Sequence, residues 1–426
     1  MSAPGGDASG DAFVLNIGEL CSPLGASALA GGAMRDIYRV ADAAIVARDG
    51  LVVYAGPRSG LEPWMVEGLS PLDARGRAVI PGFVDSHTHL VFAGDRSDEF
   101  LLRAGGASYM DIHASGGGIA RSVEATRAAD LEELVRLAEA RAWAMVQQGV
   151  STVEAKSGYG LDRDTELRQL EAASVVAERV PIDVIPTYMG LHSIPPEYGP
   201  EFARDAGAYV DFAISEVLPA VAAQGLARFA DAFCEAGVFT PEDCRRFLAA
   251  AQALGLGAKV HAEEIERTGG AALAAELRAA SADHLLKANG DDFRALAAAG
   301  CVAACLPLTS FCLGKPHADA RGMIDSGCAV ALATDLNPGS AASGSIPLVI
   351  ALAVLQMGMS VEETITALTL NGAAALGLAG ETGSLEPGKR ADFVLLDAPS
   401  ISFLPYRSAV NLVAAVFKGG ELAFRS

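Results

Sequence analysis

The chain reads as an α/β protein: a TIM-like (β/α)8 barrel with a small β-sandwich domain built from both chain ends. Three observations predict this. The middle of the sequence alternates short apolar runs with Ala-, Leu- and Glu-rich stretches of helical character, and eight such runs can be followed. Both ends are β-rich, and neither is large enough to be stable alone. The 426 residues, 51% of them hydrophobic, exceed one small core and suit a barrel of about 250 residues plus a companion domain.

The elements follow in order. Residues 1–11 have neither the basic start nor the apolar stretch of a secretory signal and read as a flexible tail. Residues 1–80 contribute the first part of the small β domain, with a hairpin over 43–56 turning at Asp49-Gly50. The barrel is expected over 81–380. Its eight strands end near His89, Lys156, His192, Glu235, His261, His284, Pro307 and Asp335, with helices such as 131–148, 163–179 and 361–376 between or after them. The gap from His89 to Ser151 is longer than one β/α unit needs. Its Gly105-Gly106 and Ser115-Gly-Gly-Gly118 segments read as active-site loops. Residues 381–426 return to β structure, in a run at 392–397 and a hairpin over 413–424 turning at Gly419-Gly420.

A formal charge of −20 argues against nucleic acid and anionic membrane as partners. It leaves room for an anionic small molecule, which would respond to a local Arg. The most apolar segment, 346–357, is too short to span a bilayer and fits a buried helix. Seven cysteines without a C-x-x-C pair, Cys301 and Cys305 among them in an apolar run, suit a core in a reducing cytoplasm.

The chemistry collects at the strand ends, which share one face of a parallel barrel. Val79-Ile-Pro-Gly-Phe-Val-Asp-Ser-His-Thr-His-Leu90 ends in two imidazoles two residues apart, so on a strand both rings face one side. His261 opens His-Ala-Glu-Glu264, and Asp335 opens Asp-Leu-Asn-Pro-Gly-Ser340. His87, His89, His261 and Asp335 together make a site for zinc or iron with room for water. Such a cation lowers the pKa of a water molecule and polarises a carbonyl. Each residue alone reads equally well as a loop anchor; four at the ends of one barrel's strands do not. His284 ends the sixth strand and is expected to orient or deprotonate the water, or else to brace a ligand.

These residues resemble the amidohydrolase superfamily, whose first barrel strand ends in His-x-His and whose eighth ends in Asp. The segments 90–100, 106–109 and 115–118, Lys156-Ser-Gly-Tyr-Gly-Leu161, His261-Ala-Glu-Glu264 and Thr334-Asp-Leu-Asn-Pro-Gly-Ser340 narrow the resemblance to the imidazolonepropionase family within it. The resemblance implies hydrolysis of 4-imidazolone-5-propanoate to N-formimidoyl-L-glutamate in histidine degradation. It also implies one Zn2+ or Fe3+ per subunit, held by His87, His89, His261 and Asp335, and a homodimer in the cytoplasm. Arg96 would fork onto the substrate carboxylate, helped by Tyr159 and more weakly by Tyr109. The competing reading of Arg96 is a surface pair with Asp95 or Asp98. His192 would bond the ring carbonyl, and Glu264 would bind a ring nitrogen or relay a proton. Asn337, Gly339 and Ser340 would hold the ring or the product, Ser340 standing where the family often has Thr. The base is left among Asp335, His284 and Glu264. The Pro307–Phe311 segment departs from the family's Pro-Gly-rich loop. His113 and His317 read as surface or loop residues. Lys156 lies on an early strand, which argues for one metal rather than two. Another metal-dependent ring hydrolase or deaminase, and a scaffold that has lost its metal, are the rival readings.

Overall fold

The computed structural model describes residues 10–106, 117–199 and 204–426. The N-terminal part contains β1 (Ala12–Ser22), β2 (Tyr38–Arg48), β3 (Leu51–Pro57), β4 (Leu72–Asp73) and β5 (Ala78–Pro81). The barrel strands are β6 (Phe83–Asp85), β7 (Val150–Lys156), β8 (Asp183–Leu191), β9 (Phe229–Cys234), β10 (Gly257–Ala262), β11 (Ser281–His284), β12 (Val302–Cys305) and β13 (Val330–Leu332). The C-terminal part adds β14 (Phe393–Leu396), β15 (Val413–Lys418) and β16 (Glu421–Arg425).

Both chain ends enter one sheet, ordered β16-β15-β14-β5-β1-β2-β3, with β4 beside β1. The expected sandwich is therefore one continuous mixed sheet. Its seam is the antiparallel β14–β5 pair, where Phe393 lies opposite Pro81 and Leu395 opposite Val79. The two expected hairpins form. Asp49-Gly50 and Gly419-Gly420 each place two consecutive residues at positive φ, the geometry of a tight two-residue β turn. Phe393 and Phe417 are paired across the sheet and stack with ring centroids 4.3 Å apart.

The apolar run 79–90 is divided between the two sheets, close to the boundary expected at residue 80. β5 belongs to the small sheet and β6 to the barrel, and the chain changes sheets at Gly82. A β-carbon on Gly82 would collide with the Ser151 side chain, so glycine permits the close crossing. The eight barrel strands run parallel in chain order. The ring closes between the first and last strands. Thr88 bridges Leu336, His89 N–H donates to Leu336 O at 2.8 Å, and Asp335 N–H donates to His87 O at 3.0 Å. Below them the buried Asp85 carboxylate accepts Thr334 N–H at 3.0 Å and its hydroxyl at 2.6 Å. Polar side chains thus finish a closure that the short β6 and β13 leave incomplete.

Two helical expectations change. The stretch 361–376 breaks at Thr369 into helices Val361–Leu368 and Leu370–Ala375. The break seats Asn371 inside the fold, where its amide donates to Leu29 O and Val330 O, both at 2.9 Å. Residues 307–311, read as an atypical loop after the seventh strand, lie in a short helix, Pro307–Cys312, opened by Pro307. The apolar segment at 346–357 is largely a buried helix, Ile346–Gln356, as expected. The helical segment Ala206–Gln224 is long and apolar enough to cross a membrane by length and composition alone. Here it buries Tyr209, Val210, Leu218 and Val221 in the main core, with a π turn at Ala213–Val217 just before Pro219.

Candidate metal centre and active site

The parallel strands deliver their C-terminal ends to one rim, and there the backbone is unusual. Glu263, His284, Leu285 and Asp335 have φ of 57°, 75°, 60° and 52°. Non-glycine residues seldom adopt this left-handed region, and such strain concentrates at functional sites.

His87, His89, His261 and Asp335 meet at this rim. Ring centroids lie 4.5 Å apart for His87–His261, and 5.6 Å apart both for His87–His89 and for His89–His261. Asp335 Oδ1 is 3.5 Å from His87 Nε2 and 3.7 Å from His89 Nε2. Its other oxygen accepts the Thr309 hydroxyl, which gives the unexpected 307–312 helix a role. Among the described residues, four trios have ligand atoms close enough to share one ion. Two are made of rim residues: His87, His89 and Asp335, and His87, His261 and His284. Two include the carboxylates beneath: His87, Glu154 and Asp283, and Asp231, His261 and Asp283. The fit to a cation also rests on orphaned atoms: Nε2 of His87 and Nε2 of His261 are buried without a hydrogen-bond partner. Burial pushes His87, His89 and His261 well below the usual imidazole range, which leaves them neutral and able to coordinate. Burial also raises Asp335 to about 7, against the stabilising Thr309 hydroxyl.

His284 lies 5.0 Å from the His261 ring, and burial lowers it to about 4. Its Nε2 lies 3.7 Å from Glu264 Oε2. Burial lifts Glu264 to about 8, with Asp335 and Glu235 adding repulsion. The neighbouring Glu263 holds the loop in shape by accepting the N–H groups of Thr268, Gly269 and Ala271.

Arg96 does not pair with Asp95 or Asp98. Asp95 accepts the amide and hydroxyl of Ser97, and Asp98 holds Arg121 at 2.7 Å. Arg96 instead places Nε and Nη2 2.8 Å from the buried carboxylate of Glu99. Its Nη1 lies 2.5 Å from where a β-carbon on Gly339 would stand, so Gly339 makes room for the guanidinium. Tyr159 is buried between His89 and His192, with centroids at 5.6 and 5.1 Å. Its loop is fixed by Glu166, which accepts Gly158, Gly160 and Leu161 N–H at 2.7–3.0 Å.

His192 stacks on His89 at 4.9 Å and donates Nδ1–H to Gly158 O at 2.9 Å. Burial holds it at about 4, so the ring is neutral and Nε2 is an acceptor. In this state Nε2 suits a ring N–H rather than the ring carbonyl expected from the sequence. Asn337, Gly339 and Ser340 are also engaged among themselves. Asn337 Oδ1 accepts both Gly339 and Ser340 N–H at 2.8 Å, and its amide donates to Asp335 O and Ser340 Oγ. These residues shape the loop after Asp335 rather than present free amides. Tyr109 and His113 lie outside the described residues. His317 is on the surface side, bonded to Gln356.

Several residues of the site do not stand out in the sequence: Glu99, Thr309, and the buried charges Glu154, Asp231, Lys259 and Asp283. The last four leave only a weak signal, each being a charged residue inside a buried strand.

Residues 78–423 match the amidohydrolase family, and the chain belongs to it. The imidazolonepropionase of Symbiobacterium thermophilum is 50% identical over 97% of this chain and 97% of its own length. That of Phocaeicola vulgatus is 50% identical over 97% and 99%, and that of Clostridium tetani 46% over 98% and 99%. Among solved structures, a triazine hydrolase variant superposes with a TM-score of 0.72 at 17% identity, covering 97% of this chain and 94% of that one. Guanine deaminase of E. coli gives 0.71 at 15%, covering 98% and 99%. At such identities these two speak for the fold alone.

Proposed function

From its membership of the amidohydrolase family, and from near-full-length relatives at 46–50% identity, we propose that the chain hydrolyses the ring of 4-imidazolone-5-propanoate to N-formimidoyl-L-glutamate in histidine degradation. The observation that carries this reading is the pairing of a neutral imidazole–carboxylate centre with a guanidinium beside Gly339, on the loop that follows Asp335. A cyclic amide with an anionic tail needs both.

His87, His89, His261 and Asp335 would hold one Zn2+ or Fe3+. When bound, such a cation supplies an acidified water and a polarised carbonyl. The protein's own groups do the rest. Arg96 takes the substrate carboxylate in charge-assisted hydrogen bonds, with Tyr159 alongside. His192 Nε2 accepts a ring N–H and so sets which face of the ring meets the centre. His284 or Asp335 accepts the proton of the attacking water. Glu264, kept protonated near neutral pH by its burial, hands a proton to the departing nitrogen. We place this activity in a cytoplasmic homodimer that binds neither nucleic acid nor membrane.

The test is ultraviolet monitoring of imidazolone propanoate consumption, before and after chelation. Turnover that is lost on chelation and returns with Zn2+ or iron supports the reading. Unchanged turnover after verified metal removal, or no turnover by metal-loaded protein, overturns it.

A further inference from the structure

Inside the barrel, beneath the His87–His261 pair, five charged side chains have no solvent exposure: Glu154, Lys156, Asp231, Lys259 and Asp283. Lys156 Nζ lies 2.6 Å from Asp231 Oδ2, 3.0 Å from Glu154 Oε2 and 3.5 Å from Asp283 Oδ2. Asp283 Oδ2 also accepts His87 Nδ1–H at 2.6 Å. Asp231 Oδ2 also stands 3.0 Å from His261 Nδ1, though off the line of a good hydrogen bond. One ammonium therefore grips the same two oxygen atoms that reach two of the imidazoles at the rim.

Buried ion clusters are costly, and packed apolar residues generally stabilise a core as well or better. Stability alone gives no reason for five charges here. We propose that Lys156, Asp231 and Asp283 are positioning residues for the metal centre. Lys156 clamps the two carboxylates. Each carboxylate orients one imidazole with its proton on Nδ1, so that the Nε2 lone pairs of His87 and His261 are turned toward the cation. Strand register brings these charges to one level of the barrel, with His261 beside Asp283 across β10–β11 and Lys259 beside Asp231 across β9–β10. The imidazole contacts themselves are Asp283 to His87 and Asp231 to His261. Lys259 closes the cluster from the side, bonding Glu154 at 2.8 Å and Ser86 O at 2.9 Å. The lysine on β7 thus contributes as a free ammonium inside the barrel.

This inference rests on His87 and His261 being metal ligands. The experiment measures Zn2+ affinity of metal-free protein by competition with a chromophoric chelator, alongside circular dichroism and thermal melting. Two variants are used. Asp283→Asn is nearly isosteric. Lys156→Met/Asp231→Asn removes one cation and one anion, so the cluster keeps its net charge. Each is expected to bind Zn2+ about 10- to 100-fold more weakly, the usual loss when the partner of a metal-bound His is removed. The metal-free Asp283→Asn protein should melt close to wild type. Affinity within about threefold of wild type in both variants would overturn the proposal, as would collapse of both metal-free folds, which would make the cluster a purely structural one. Wild-type protein with no affinity for Zn2+ or iron would instead remove the ligand assignment itself.

Discussion

Replacing Arg96 by Ala separates binding from folding, because the guanidinium has two partners of different kinds. Toward the substrate it offers charge-assisted hydrogen bonds, each worth about 1.5–3 kcal/mol. Losing two, less what water restores in an open site, should raise the barrier for free enzyme and substrate by about 3–4 kcal/mol. That is a fall in kcat/KM of roughly 100- to 1,000-fold. Toward the protein, Arg96 neutralises Glu99, which is only 4% exposed and receives Gly118 N–H at 3.2 Å. Stranding a fully buried charge costs about 3–5 kcal/mol. Arg96 keeps 14% of its side-chain surface, so water can reach the pair and about 2 kcal/mol is the better expectation. The double variant Arg96→Ala/Glu99→Gln removes the stranded charge. Urea unfolding should then show most of the stability regained, while ultraviolet assays show kcat/KM still depressed to the level of Arg96→Ala. Recovery of activity along with stability would refute the clamp and leave Arg96 a structural residue. Assays on a substrate analogue lacking the carboxylate add a second check, since the clamp predicts little further loss there.

Gly339→Ala sets a methyl group 2.5 Å from the present position of Arg96 Nη1, so the guanidinium must swing aside. Steady-state kinetics should show KM raised about tenfold with kcat little changed, a loss of about 1.4 kcal/mol in binding. Asn371→Ala deletes the buried amide that joins Leu29 to Val330 and leaves backbone groups unpaired. Urea unfolding should register a loss of about 2–4 kcal/mol. Metal removal should lower the melting temperature as well as activity; a cation at 100 times its dissociation constant adds about 2.7 kcal/mol, recoverable by titrating Zn2+ back.

The barrel and its rim are legible in the sequence because apolar runs carry a period and their ends carry unusual residues. His87, His89, His261 and Asp335 each follow such a run, and folding needs only parallel strands to bring them together. The hairpins at Asp49-Gly50 and Gly419-Gly420 are legible for the same local reason. Most of what escapes depends on partners far along the chain. Pro81-Gly82 marks a break in the apolar run, but the neighbour that requires the glycine, Ser151, is shown only by packing. The helix break at Thr369 answers to Leu29 and Val330, not to its neighbours. The proton on His192 is placed by Gly158 O, so the residue can be foreseen and its hydrogen-bonding sense cannot. The carboxylates nearest Arg96 in sequence are Asp95 and Asp98, whereas a helical turn brings it Glu99 from three residues on. The charges inside the strands are visible but look like isolated exceptions to an apolar pattern; only strand register joins them.

The seam between β5 and β14 has a consequence for biosynthesis. A ribosome releases β1 to β5 early, yet the strand that covers the β5 edge, with Phe393 opposite Pro81, emerges near the end of translation. Until then Val79 and Ile80 present an open, apolar strand edge, the kind that recruits other chains. A nascent polypeptide of this design must be shielded by chaperones or by rapid collapse of the barrel segment. Stop codons that remove only the last few dozen residues should yield aggregates rather than a trimmed but working molecule.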